Sequence, residues 1–115
     1  MLITAEQKNV RQSPLKVRLV ANAVRKLPLG QAIEQLGVME RKSTVVILKV
    51  IRQAIANATN NLGLIYEDLA LNNIIVSDGP IYKRMRAVSR GRGHSIQKKT
   101  CHVKVILEKK EKVQS

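Results

Sequence analysis

DGPIYKRMRAVSRGRGHSIQKKTCHVKVILE, residues 78–108, is the stretch on which the fold turns. Its end alternates: Cys101, Val103, Val105 and Leu107 fall on one face of a strand, while His102, Lys104 and Glu108 fall on the other, with Ile106 as the exception. Upstream, Leu69 and Leu71 also repeat every second residue and lead into the β-branched run Ile74, Ile75 and Val76, which predicts a partner strand. Residues 79–100 then read as a hairpin arm folded about a tip near residues 89–93. Each strand would extend about ten residues, or roughly 30 Å, beyond the sheet. Between Asp78 and Glu108 there are eight basic residues (Lys83, Arg84, Arg86, Arg90, Arg92, Lys98, Lys99 and Lys104) and no acidic one. A two-stranded hairpin is marginal in water unless it packs an apolar face. Tyr82, Met85, Val88 and Ile96 supply too little of one, so the arm needs a polyanion to order it.

Working outward, Ser13-Pro14 is a helix start, since Ser can cap orphan amides and Pro has the φ that the first helical position requires. The helix runs from 14 to about 26, with Val17, Val20, Ala21 and Val24 toward the core. Arg18, Asn22 and Arg25 form an opposite, exposed strip, whose loss should spare stability. The helix start is also a ready anion site. Residues 31–36 predict a short second helix built on Ala32, Ile33 and Leu36 and ended by Gly37. Residues 41 to about 61 give a long core helix. Ile47, Ile51, Ala54, Ala58 and Leu62 share its buried face with Val50 and Ile55, Lys49, Arg52, Gln53, Asn57 and Asn60 lie opposite, and Gly63 is the left-handed stop. Residues 2–10 predict a third strand, and residues 109–115 a frayed, charged tail.

The length, 115 residues, suits one domain with one core. The globular part is expected at about 1–78 and 101–110, and the arm at about 79–100. Lys and Arg number 21 against 8 Asp and Glu, a net charge of +13 that calls for phosphate as partner. A membrane is not indicated, because neither a basic amphipathic helix nor an apolar span is present. Tyr66 and Tyr82 are the aromatic residues, which argues against stacking platforms for bases and leaves recognition of phosphate and shape by Arg and Lys. No signal or transit peptide is evident at the start, so a cytoplasmic location is expected.

Enzymatic chemistry finds no support. Cys101, the single cysteine, cannot form an internal disulfide, and with His94 and His102 it does not give four ligands at zinc spacing. No metal and no cofactor is expected. Gly91-Arg92-Gly93 lacks the rest of a dinucleotide fingerprint, Lys98-Lys99-Thr100 lacks the glycines of a phosphate loop, and Glu67-Asp68 has no partner for acid or base work.

Ser13-Pro14-Leu15-Lys16-Val17-Arg18-Leu19-Val20, Ala54-Ile55-Ala56-Asn57-Ala58, Gly79-Pro80 with Lys83-Arg84, Arg90-Gly91-Arg92 and Lys99-Thr100-Cys101-His102-Val103 occur in an order and spacing that resemble the bacterial-type large ribosomal subunit protein twenty-two family, from about Thr4 to Leu107. The resemblance implies an α+β fold of three helices on a small three-stranded antiparallel sheet, with a long basic β-hairpin projecting from it. It implies a structural constituent of the large subunit, a monomer within the ribosome. Its partners would be 23S-type rRNA, neighbouring large-subunit proteins and the nascent polypeptide, and it would act early in assembly, in a cytoplasmic or plastid ribosome. The candidate rRNA-binding residues are Arg11, Ser13, Lys16, Arg18, Asn22, Arg25, Lys83, Arg84, Arg86, Arg90, Arg92, Lys98, Lys99, Thr100 and His102. Arg86, Ala87, Val88, Ser89, Arg90, Gly91, Arg92, Gly93 and His94 would form the tip lining the exit tunnel, near which macrolides bind in such ribosomes. Leu15 stands where the family usually has a basic residue, Lys26 where Gly is common, and Ala87-Val88 where Pro-Arg is frequent. The alternative is an architectural DNA-binding protein gripping a bent duplex with basic β-arms, a class that usually dimerises and wedges an apolar side chain at the tip.

Overall fold

In chain order the elements are β1 (Leu2–Val10), α1 (Pro14–Val24), α2 (Leu29–Val38), α3 (Lys42–Ala56), β2 (Leu69–Asp78), β3 (Tyr82–Val88), β4 (Arg92–Lys98) and β5 (Cys101–Lys109). The computed structural model describes residues 2–39, 41–88 and 92–110, with 82–88 and 92–98 described as backbone. Ser89, Arg90 and Gly91 of the expected tip, and residues 111–115 of the expected tail, lie outside the described residues. Three strands form an antiparallel sheet in the order β1-β5-β2, and β3 and β4 pair as a second, two-stranded sheet. The expected α+β class and the third strand at residues 2–10 are both observed.

Helices cover one face of the sheet. Cys101, Val103, Val105 and Leu107 on β5 are fully buried, while His102, Lys104, Ile106 and Glu108 on its other face are half-buried. α3 lies over β5 and β1, and α1 over β2. Val17, Val20, Ala21 and Val24 of α1 meet Ile47, Val50, Ile51, Ala54 and Ala58 of α3 in one core. Burying each of the larger aliphatic side chains there contributes about 1.5–3 kcal/mol.

Several local expectations are corrected. Ser13 is extended ahead of α1 but makes no side-chain cap. Pro14 removes one orphan amide and presets φ, and the Ser13 carbonyl accepts from the Val17 N–H at 3.2 Å, so the helix starts without the hydroxyl. α1 ends at Val24. α2 is longer than expected, because it begins at the buried Leu29 after Pro28 and continues through Gly37 to Val38. Gly permits a left-handed stop without compelling one.

α3 closes with a wider, π-helical turn over Asn57–Asn61, and Gly63 then takes φ +65°. The Leu64 N–H returns to the Ala58 carbonyl at 3.1 Å. The wider turn breaks the 3.6-residue spacing, so Leu62, expected on the core face, is 48% exposed.

Two bulges reset the strands. Leu71 pairs with Leu107 and Asn73 with Ile106, leaving Asn72 unpaired. One inserted residue reverses which parity faces inward. Leu69 is therefore buried upstream, Ile74 and Val76 are buried downstream, and Ile75 is 40% exposed. In β1 a second irregularity lies between Gln7 and Val10, where Asn9 adopts φ +58° and its N–H donates to His102 Nδ1 at 3.1 Å. Ile3 and Ala5 precede it on the core side, and Val10 follows.

The contrast around α3 predicts that Ile47→Ala lowers unfolding free energy by about 2–5 kcal/mol, whereas Leu62→Ala changes it by about 0.5 kcal/mol or less. Urea titrations of both variants check this. Burial pushes the Cys101 thiol above its ordinary pKa of 9.0, and nearby Arg18 opposes the shift. A raised folded-state pKa means that stability is full below pH 9 and declines above it, as the unfolded thiol ionises first. Cys101 should resist alkylation by iodoacetamide at pH 8 in the native protein and react in urea, measured by mass.

Candidate nucleic-acid interface

Arg18 on α1 and Arg25, the residue that caps its end, lie two turns apart, and both reach β2. Arg18 Nε donates to the Val76 carbonyl at 3.2 Å, and Arg25 Nη2 donates to the Ile74 carbonyl at 2.8 Å. β2 is an edge strand, and carbonyls two residues apart point to the same side. The two guanidiniums therefore occupy the outer edge of β2, which would otherwise offer unpaired acceptors to another strand. Arg18 also pairs with Asp78 at 3.3 Å, a solvent-exposed ion pair of small energetic weight. The expected free basic strip is thus corrected for Arg18 and Arg25, whose side chains are half-buried and help to hold α1 on the sheet. Asn22 between them is exposed.

The root of the arm is tightly built. The Gly79 N–H donates to the Thr100 carbonyl at 2.9 Å, and the Thr100 hydroxyl donates to the Pro80 carbonyl at 2.6 Å. A Cβ at position 79 would lie 2.5 Å from Thr100 Oγ1 and 3.3 Å from the Thr100 backbone, so glycine is required by close approach. Thr100 is 2% exposed. The hydroxyl is enclosed and committed to Pro80. His102 is half-buried, with Nδ1 accepting from Asn9. Lys99 is exposed and lines a cleft of about 240 Å³ with Ser13, Pro14, Arg18, Asp78 and Ile81, where the start of α1 meets the arm's root.

In the arm itself, Tyr82 pairs with Lys98, Arg84 with Ile96, Arg86 with His94 and Val88 with Arg92. Alternation places positions 84, 86, 92, 94 and 98 on one face of the ribbon and position 83 on the other. Each strand has seven residues, roughly 23 Å at about 3.3 Å per residue, shorter than expected. Arg92 and Gly93, expected at the tip, belong to β4.

A second cleft escaped the sequence reading. Arg11, Gln12, Ser13 and Lys16 face Arg41, Lys42 and Ser43 across a groove of about 550 Å³, and Gln12 Nε2 donates to the Lys42 carbonyl at 3.4 Å. Arg41 and Lys42 lie about thirty residues from Arg11 in sequence, and two adjacent cations ahead of a helix are no signal alone. Among the described residues no three His, Cys, Asp or Glu side chains are grouped to hold a metal, and no helix is long and apolar enough to cross a membrane.

A family model described as Ribosomal protein L22p/L17e matches residues 5–108. The chain is similar to the large ribosomal subunit protein uL22 of Desulfatibacillum aliphaticivorans, with 44% identity over 108 residues, covering 94% of this chain and 99% of that protein. It is also similar to the large ribosomal subunit protein uL22 of Mesoplasma florum, with 42% identity over 98 residues, covering 85% and 88% respectively.

The clamp on β2 makes Arg25 a stability determinant. Arg25→Met keeps the apolar stem and removes the bond to Ile74, and should cost about 1.5–3 kcal/mol in urea unfolding. Asn22→Ala should change stability by about 0.5 kcal/mol or less in the same assay.

Proposed function

The chain belongs to the Ribosomal protein L22p/L17e family, and from that premise we propose that it is a structural constituent of the large ribosomal subunit, holding folded 23S-type rRNA and lining the nascent-polypeptide tunnel with its arm. The family is one of structural ribosomal proteins and not of enzymes.

One observation carries the rRNA reading: a two-stranded ribbon within the 79–100 connection of β2 to β5, a segment that holds seven basic residues and no acidic one. Like charges in a ribbon repel each other, and the ribbon belongs to a sheet separate from the one over the core. RNA phosphates supply the missing counter-charge, and the scarcity of aromatic residues favours phosphate and shape over base stacking. The molecule measures 74 Å along its longest axis against 26 and 17 Å across, which fits an arm that projects from the body. In this reading Arg11, Lys16, Asn22 and Lys99 bind RNA at the body. Lys83, Arg84, Arg86, Arg90, Arg92 and Lys98 bind it along the arm, and residues 86–94 reach the tunnel wall. Ser13, Arg18, Arg25 and His102 contribute from positions that also serve the fold. The protein acts as a monomer beside neighbouring large-subunit proteins in a cytoplasmic ribosome.

Binding of the free protein to large-subunit rRNA should be steeply salt-dependent. With about six to eight phosphates neutralised, the log–log slope should be about −5 to −7. The protein should co-sediment with large subunits. Deletion of residues 83–98 should reduce the slope and leave the thermal transition of the body in place, because the core residues are retained. Salt-insensitive binding would remove the basis of this reading, and a stable dimer that prefers bent duplex DNA would favour an architectural DNA-binding role.

A further inference from the structure

α3 has a second face that the core does not use. Val45, Leu48, Lys49 and Arg52 recur at helical spacing on the side opposite the buried Ile47, Val50, Ile51 and Ala54. The end of α2 supplies Leu36 and Gly37, Met39 follows it, and these residues line a groove of about 430 Å³ between the two helices. Thr44 also lines it, but its hydroxyl donates to the Arg41 carbonyl at 2.6 Å, which leaves the floor apolar. Val45 is 67% exposed and Val38, next to Gly37, is 75% exposed. Lys49 and Arg52, both exposed, follow Val45 along the groove by one and two turns. No acidic residue lines it among the described residues, and Glu40 lies outside them.

Gly37 is the independent sign of an occupant. It stands inside α2 with an ordinary helical φ, where glycine is destabilising relative to alanine. Beyond its own helix and chain neighbours, a Cβ at position 37 would meet no atom within 4 Å. Neither backbone conformation nor packing within the fold therefore requires glycine there. An external surface lying close against the α2 backbone would require it.

We propose that the α2–α3 groove docks an amphipathic helix of a partner protein, whose apolar side chains pack over Gly37, Met39, Val45 and Leu48 and whose carboxylates meet Lys49 and Arg52. This goes beyond the rRNA reading and does not rest on it. From Val45 to Arg52 the face runs about 10 Å at about 1.5 Å per residue, so about two turns of a partner helix cover it. Apolar anchors one turn apart followed by a carboxylate one turn further on match the order of the lining residues. Phosphate backbone has no use for an apolar floor, and no aromatic ring lines the groove to stack a base. A second copy of this chain, itself carrying +13, would be repelled from a rim of two cations.

The probe is an alanine-based helical peptide of about 18 residues with leucines spaced i, i+4 and i+7 and two glutamates on the next turn of that face. Its twin has lysines in place of the glutamates. Fluorescence anisotropy with the full chain at about 0.15 M salt should show the acidic peptide binding at least about tenfold more tightly than the twin. Gly37→Leu should keep or raise the melting temperature and weaken the acidic peptide about tenfold by filling its place. If that variant is unfolded, Val45→Gln replaces it, with the same loss expected. Lys49→Glu with Arg52→Glu should reverse the preference, whereas Lys109→Glu with Lys110→Glu, an equal change of charge elsewhere, should preserve it. Equal effects of the two reversals would mean attraction to net charge alone and overturn the groove site, as would a folded Gly37→Leu chain with the parent's affinity. The chain bound to large-subunit rRNA should still take up the acidic peptide. Loss of that uptake would assign the groove to RNA and overturn the proposal.

Discussion

The seating of β5 between β1 and β2 is the constraint on which the other features depend. The last strand in sequence is the central one in space, so the sheet closes only after the whole intervening chain has been accommodated. Cys101, Val103, Val105 and Leu107 give α1 and α3 a surface to cover, and the strand's two edges fix the register of both neighbours. β2 and β5 are antiparallel neighbours, and the arm is the connection between them. Its base is therefore set by the same ladder that holds the core, with Gly79 and Thr100 as the last rung before the chain departs.

Charge and apolar surface are divided between the two parts of the molecule. The body buries a continuous aliphatic core, whereas the sequence of the ribbon carries basic residues and no acidic one. Arg18 and Arg25 stand at the boundary. Their cations help the body by occupying the edge of β2, and what remains exposed of them adds to the positive surface beside the arm's root. A long-range polyanion interaction and a short-range edge cap can share one guanidinium, because the first needs net charge and the second needs directed N–H groups.

The paired helix starts give the body a positive feature of its own, independent of the ribbon. Helix starts without an acidic residue in their first turns, set beside Arg11, Lys16, Arg41 and Lys42, line one cleft. Both positive features meet at Ser13, which gives the surface a direction from the arm's root around α1 to the start of α3.

Periodicity alone determined the helical faces of α1 and α3, the alternating face of β5 and the one-sign arm, because each is a local pattern read along a single element. Ser13-Pro14 marked its helix start for the same reason. Tertiary structure decided what one element cannot specify about another. Asn72 and Asn9 shift strand parity through bulges whose placement depends on pairing with β5, and the wide turn after Ala56 carries Leu62 out of the core. Arg25 could be read as a surface cation until the Ile74 carbonyl lay 2.8 Å away. Thr100 became enclosed once β2 and β5 converged on Gly79, and Arg41 met Arg11 only when two helix starts were packed side by side. A sequence pattern reports the face of an element, while the partner of that face is set by contacts between residues far apart in the chain.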